Sequence, residues 1–232
     1  MRSEAPEHAA KVAEDAIVYV IDDDQSMLEA VRALLRSVGV GVETFSNAQD
    51  FFAYPLPDVP ACLILDVRLK GHSGLAVQEQ IAAASIQMPV VFMTAHGDVA
   101  MSVRAMKAGA WDFLAKPFRD QDLLDAVTQA LAADEQRRAA DRTFARLRRR
   151  YDMLTPRERE VMSFVVNGLR NRQIAQVMSL SENTTKFHRN QAMRKMEANT
   201  LVDFVLMGAA LGLKEAHDGL CYQAASRRFG GF

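Results

Sequence analysis

Residues 63–70 read LILDVRLK, and the charge inside that stretch decides the fold. Three aliphatic residues, Leu63, Ile64 and Leu65, run straight into the carboxylate of Asp66. Apolar runs of this kind more often stop at Gly, Pro or Asn. A short continuous apolar run fits a strand buried on both faces. A carboxylate at its end then belongs at the mouth of a sheet, where it can meet a ligand.

The flanking sequence repeats the theme. IVYVI (17–21) reads as a buried strand, and 25–38 as a helix ending at Gly39. VETF (42–45) is a second strand, SNAQDFFA begins a short helix, and CLIL (62–65) is the third strand. A helix around Leu75–Ala84 precedes the strand PVVFMT (89–94), and VAMSVRAMKAG (99–109) is a helix closed by Gly109. WDFLA (111–115) is the fifth strand, and Leu123, Leu124, Val127 and Leu131 mark a last amphipathic helix. Alternating strands and helices predict an α/β doubly wound, five-stranded parallel sheet covered on both faces, spanning 16–133. Residues 1–15 read as a flexible leader.

The chain has 232 residues, enough for a second domain. Net charge is −1, yet residues 1–136 carry about 10 basic and 20 acidic side chains, and 137–200 about 15 and 6. The basic half is suited to phosphate-backbone contact. Residues 134–150 are charged and free of Gly and Pro, and are predicted to be a linker continuing the last helix. As one helix, 119–149 spans roughly 45 Å. Phe144, Leu147 and Tyr151 in and beside it form a weak apolar seam.

A small all-α domain of four helices is predicted over 151–214. Thr155, Pro156 and Glu158 form a capping box. Helices then start at Asn171, after the Ser181 cap, and at Thr200. The tail, 215–232, has no clear periodicity. Cys62 and Cys221 are too far apart in sequence to suggest a disulfide framework or a metal site. No stretch reaches the ~18 apolar residues of a membrane span, and the first residues lack an apolar signal core, so the expectation is a soluble cytoplasmic protein.

Open parallel sheets bind ligands at the carboxyl ends of their strands. Those ends carry Asp22 and Asp23, then Asp66, Thr94, and Lys116 followed by Pro117. Crowded carboxylates raise one another's pKa, and a hard cation such as Mg²⁺ offsets the charge, using one or two carboxylates plus water and phosphate oxygens. Asp66 is then a candidate nucleophile toward a phosphoryl group. Lys116 supplies a second positive charge, and Thr94 a hydroxyl for a phosphoryl oxygen.

The motifs IDDD (21–24), LILDVRLKGHSGL (63–75), MTAHGD (93–98) and KPF (116–118) resemble the receiver domain of bacterial two-component response regulators, in its FixJ-like branch. The resemblance implies a flavodoxin- or CheY-like fold in which Asp66 accepts phosphate from a sensor histidine kinase. It also implies that Asp22, Asp23, Asp66 and the backbone carbonyl of Arg68 bind Mg²⁺. Thr94 and Phe113 would be the switch pair, and Lys116–Pro117 a cis peptide. Two residues depart from the pattern: Phe113 stands where Tyr is frequent, and Lys70 where Pro is common. Lys70 is expected to free the loop backbone and to add charge near the site.

In the third helix of the second domain, Thr185, Ala192, Met193 and Met196 can face a core, while Asn183, Lys186, Phe187, Asn190 and Arg194 lie elsewhere. Lys and Asn can reach base edges and Phe a thymine methyl; Arg189, Arg194 and Lys195 can contact phosphates. LTPREREVMSFVVNGL, IAQVMSLSENTTKFHR and MRKM resemble the helix-turn-helix effector of the LuxR/NarL/FixJ family. By that resemblance Lys186, Phe187 and Asn190 face bases, with Asn183, Thr184, Arg189 and Arg194 beside them, and the helix from Leu201 pairs two subunits. Thr185 and Phe187 replace a common Val, and Thr185 is expected to cost some core packing.

The expected protein is a DNA-binding transcription regulator, not an enzyme, in which phosphorylation favours a homodimer on double-stranded promoter DNA, with no membrane partner. One alternative is an Mg²⁺-dependent aspartyl-phosphate hydrolase of the haloacid dehalogenase type. Those enzymes carry a second Asp as general acid, where this chain has Arg68. A phosphate-independent regulator is the other alternative.

Overall fold

The computed structural model describes residues 16–70, 72–95 and 99–214. The leader, the tail, Cys221 and residues 96–98 of the MTAHGD motif lie outside them. The chain divides into two compact units, residues 1–140 and 141–232.

In the first unit β1 (Ile17–Ile21) leads to α1 (Gln25–Ser37), then β2 (Gly41–Phe45), α2 (Ala48–Ala53) and β3 (Ala61–Asp66). A short ribbon follows, β4 (Arg68–Leu69) paired antiparallel with β5 (His72–Ser73). Then come α3 (Gly74–Ala83), β6 (Val90–Thr94), α4 (Val99–Lys107), β7 (Asp112–Ala115) and the start of α5 (Asp120–Asp152). The five main strands are parallel in the order β2-β1-β3-β6-β7. The chain therefore reverses its winding between β1 and β3, where doubly wound sheets open a crevice.

Both sheet faces are packed, as the apolar runs require. Val18, Val20, Ile64, Val91 and Met93 bury against Leu28, Val31 and Leu35 of α1 and Leu123, Val127 and Leu131 of α5. On the other face Ile21, Leu63, Leu65 and Phe92 meet Phe51 of α2, Val77 and Ile81 of α3 and Ala105 of α4. Alternate residues of a strand point to opposite faces, so β3 can be apolar throughout and still end on a carboxylate. Cys62 is a free thiol with no exposure, and burial pushes its pKa up.

Two expectations are corrected in this unit. The third strand includes Asp66 as its last residue, because Asp66 keeps its place beside Met93 of β6. The loop after Asp66 is not a freed backbone: Arg68 pairs with Ser73, and Leu69 with His72.

The second unit holds the end of α5, α6 (Pro156–Val166), α7 (Asn171–Met178), α8 (Glu182–Met196) and α9 (Leu201–Ala210). Its core gathers Leu154, Val161, Met162, Ile174, Ala192, Met196 and Phe204, with Leu147 and Tyr151 of α5 against it. Phe144, the third member of the seam, is 51% exposed. The α6 capping box is present, with Pro156 in the first turn. Ser181 and Thr200 cap α8 and α9. Ser179 closes α7 in the left-handed conformation at φ 54°. Among the described residues no helix is long and apolar enough to cross a membrane.

Candidate functional site

The mouth of the crevice is built by the strand ends. Asp22 follows β1 and is 1% exposed; Asp66 ends β3 at 6% and Thr94 ends β6 at 1%. Lys116 follows β7, and its peptide bond to Pro117 is cis. Its backbone N–H donates to the Thr94 carbonyl at 2.6 Å, which sets the reach of its side chain.

The ammonium of Lys116 bridges the two buried carboxylates, 2.6 Å from Asp22 Oδ2 and 2.8 Å from Asp66 Oδ1. Burial alone pulls the Lys116 pKa down, but the hydrogen bonds and charges of Asp22 and Asp66 outweigh it and hold the pKa above its usual value. The lysine is therefore a fixed positive charge at the mouth. The second oxygens are held by backbone: Asp24 N–H donates to Asp22 Oδ1 at 2.9 Å, and Arg68 N–H to Asp66 Oδ2 at 2.7 Å.

Asp23 turns the other way, and its Oδ2 lies 3.3 Å from Lys70 Nζ. The crowding of three carboxylates expected from the strand ends is thus relieved by two ammonium groups. Among the described residues no three His, Cys, Asp or Glu side chains converge as a metal cage. Mg²⁺ asks for less, since it keeps several waters and needs only one or two carboxylates. An all-oxygen donor set around the buried side chains of Asp22 and Asp66 fits that demand. The helix after the acidic triplet is capped by Asp24, whose side chain accepts from the N–H groups of Ser26 and Met27, which leaves Asp22 and Asp23 for the site.

Phe113 is half-buried and packs among the side chains of the α2–α3–α4 face. Arg68 is exposed, and its backbone N–H is what touches Asp66. Nothing at that position supplies the second carboxylic acid that a phosphatase of the rival class uses.

Gly74 was not singled out from sequence, yet it belongs to the site. A Cβ placed there would stand 2.4 Å from the Asp66 carbonyl oxygen and 3.0 Å from Val67 Cα. The Gly74 N–H also donates to Val67 O at 2.9 Å. The Asp66 backbone therefore lies against a residue with no side chain. The only sequence trace is a Gly after a Ser ahead of an apolar helix, which is ordinary at a helix start.

In the second unit α8 divides as expected. Thr185, Ala192 and Met196 are buried and Met193 half-buried. Asn183, Lys186, Phe187, Asn190 and Arg194 are exposed, Phe187 at 58%. Thr185 causes less trouble than expected, because its hydroxyl donates to the Ser181 carbonyl at 3.1 Å and is satisfied within the helix. Thr184 shares a hydrogen bond with the Ser181 hydroxyl. His188 sits half-buried with its ring edge-on to Phe187.

Two basic residues of the helix reach partners on other helices of the unit. Arg189 donates to Asn171 Oδ1 at 3.1 Å, and Lys195 to Glu158 Oε2 at 2.7 Å. The first ties α8 to the start of α7, and the second to the first turn of α6. Both positions hold the helix in place, while Lys186, Phe187 and Asn190 form its outward face.

Residues 18–128 match the response regulator receiver domain family, and residues 152–208 the luxR family of bacterial regulatory proteins. Nodulation protein W of Bradyrhizobium diazoefficiens is 48% identical over 202 residues, 87% of this chain and 89% of that protein. The response regulator protein TodT of Pseudomonas putida is 42% identical over 190 residues, covering 82% and 84%. The transcriptional regulatory protein FixJ of Azorhizobium caulinodans is 37% identical over 201 residues, covering 87% and 95%. Among solved structures, response regulator StyR superposes with a TM-score of 0.76 at 45% identity, covering 84% of this chain and 98% of that one.

Proposed function

The chain belongs to the LuxR/FixJ family of two-component response regulators, and from that premise we propose that Asp66 is its phosphoacceptor. It is a transcription regulator with a receiver and a LuxR-type DNA-binding domain, and its relatives are regulators rather than enzymes. The observation that carries the assignment is the Lys116 ammonium set between Asp22 and Asp66 at the strand mouth.

An Asp66 carboxylate oxygen attacks the phosphorus of a phosphohistidine on a sensor kinase. The new O–P bond makes an acyl phosphate, and the N–P bond electrons return to the imidazole. Lys116, already within 2.8 Å of Asp66, neutralises the phosphoryl oxygens, and the Thr94 hydroxyl hydrogen-bonds one of them. Asp22, Asp23, Asp66 and the Arg68 carbonyl would hold Mg²⁺, which supplies further positive charge there. Thr94 and Phe113 move together as the switch, and the 99–119 surface changes with them.

That surface pairs two receivers. Exposure of Val103, Met106 and Trp111 (46%, 49% and 41%) supports this, and Leu201, Val202 and Leu206 of α9 (48%, 66% and 62%) support pairing of the second units. Lys186, Phe187 and Asn190 read bases in the major groove of a two-fold promoter site, with Asn183, Thr184, Arg189 and Arg194 around them. We assign 16–133 to the receiver, 134–150 to a helical linker and 151–214 to the DNA-binding domain, working in the cytoplasm.

Mass in solution and promoter binding, each measured with and without beryllofluoride as phosphoryl mimic, test the proposal. The mimic is expected to convert monomer to dimer and to tighten specific DNA binding. Identical mass and affinity in both states would overturn it.

A further inference from the structure

A cavity of about 310 Å³ opens at the start of β3, at the far end of the strand from Asp66. Leu56, Ile86 and Met88 give it apolar walls, and Tyr19, Arg137 and Arg138 bring polar atoms to it. This is the low end of the ~300–1,000 Å³ typical of small-molecule sites, and apolar walls with a few convergent polar groups are their usual make-up.

Tyr19 is the informative residue. Its side chain has no exposure, and its hydroxyl is buried without a hydrogen-bond partner. A buried hydroxyl left unpaired is costly. Burial, then Tyr54 and Glu43, push its pKa up to about 12 against the opposing charge of Arg138, so the group is a hydrogen-bond donor at neutral pH.

Two guanidinium groups, Arg137 and Arg138, line the cavity, each held by a carboxylate. Asp134 lies behind the wall with its side chain wholly buried, accepting from Ala61 N–H at 2.9 Å, Arg137 at 2.7 Å and Arg138 at 2.6 Å. Arg138 also pairs with Asp58, whose side chain is 88% exposed, and Arg137 also donates to Gln87. The Asp58 end of that pair stands in solvent while the Arg138 side chain is 17% exposed, so another carboxylate can take the place of Asp58.

We propose that this cavity binds a small apolar monocarboxylic acid, its body against Leu56, Ile86 and Met88 and its carboxylate between the Tyr19 hydroxyl and Arg138, in place of Asp58. Arg137 and Arg138 belong to α5, so an acid bound there engages the helix that ends the receiver.

Calorimetric titration of the full chain with benzoate as probe, and benzyl alcohol as its uncharged control, tests the proposal. Benzoate is expected to bind saturably with one-to-one stoichiometry and to shift the methyl resonances of Ile86 and Met88. Tyr19→Phe keeps the ring packed on Phe51 and Tyr54 and is expected to weaken benzoate roughly tenfold. Asp58→Asn removes the competing carboxylate at an exposed position, so benzoate binds several-fold more tightly while benzyl alcohol is unaffected. That variant keeps the test valid if Tyr19→Phe folds poorly. The proposal is overturned if benzoate does not saturate, if both variants bind it like the wild type, or if the shifts fall elsewhere.

Discussion

The Lys70 ammonium lies 3.3 Å from Asp23 Oδ2, with the lysine side chain 85% exposed and the aspartate 23% exposed. Lys70 stands where the family resemblance leads one to expect Pro. The β4–β5 ribbon carries it over the strand mouth, where it meets a proposed Mg²⁺ ligand. Exposed pairs contribute ~0–1 kcal/mol to stability, so the effect falls on the charge of the site. Lys70→Ala is expected to leave the melting temperature nearly unchanged and to lower the Mg²⁺ dissociation constant roughly two- to tenfold. Calorimetric Mg²⁺ titration decides it, and an unchanged constant would remove Lys70 from the site.

Gly74 lies where any Cβ would press on the Asp66 backbone. Gly74→Ala is expected to cost about 1–3 kcal/mol by overpacking and to slow phosphoryl uptake, because the strain falls on the proposed phosphoacceptor. Thermal unfolding and uptake kinetics measured on the same sample check both. Wild-type stability and rate together would show that the backbone yields freely.

Lys186 is exposed on the outward face of α8, so its removal should spare stability. Lys186→Ala is expected to weaken specific DNA binding by about 1–3 kcal/mol and to relax the base preference at one position. Selection of binding sites from a random pool reads this out. An unaltered preference would assign base reading to Phe187 and Asn190 alone.

Glu158 joins two tasks, accepting from Thr155 N–H at 2.8 Å and from Lys195 at 2.7 Å. Burial raises its pKa, but those partners outweigh burial and hold it below the ordinary 4.5. A depressed folded-state pKa gives stability that is present above the unfolded value and lost as pH falls through the folded one. The second unit should therefore lose stability below about pH 4.5. Glu158→Gln should flatten that part of the profile, as followed by hydrogen exchange at α6 and α8. An acid limb of equal steepness in the variant would place its origin in another carboxylate.

The parallel sheet was legible because β1, β3 and β6 are apolar on both faces, and because their ends break to Asp22, Asp66 and Thr94. The capping box at Thr155 and Glu158 was legible for a local reason: both partners lie within one turn. Other features depend on contacts that local pattern does not carry. The β4–β5 ribbon has strands of two residues each, too short to show a period. Gly74 matters through the Asp66 carbonyl, and Lys195 turns inward to a carboxylate 37 positions away. Tyr19 reads as core in any strand pattern, and only the fold leaves its hydroxyl at a cavity wall.

The most direct test of the central claim is phosphoryl uptake from acetyl phosphate in the presence of Mg²⁺, followed by intact-mass measurement on the wild type and on Asp66→Asn. The wild type should gain one phosphoryl group and the variant none. Labelling of Asp66→Asn at the wild-type level would contradict the account, because the nucleophile would then lie outside the carboxylates that Lys116 joins.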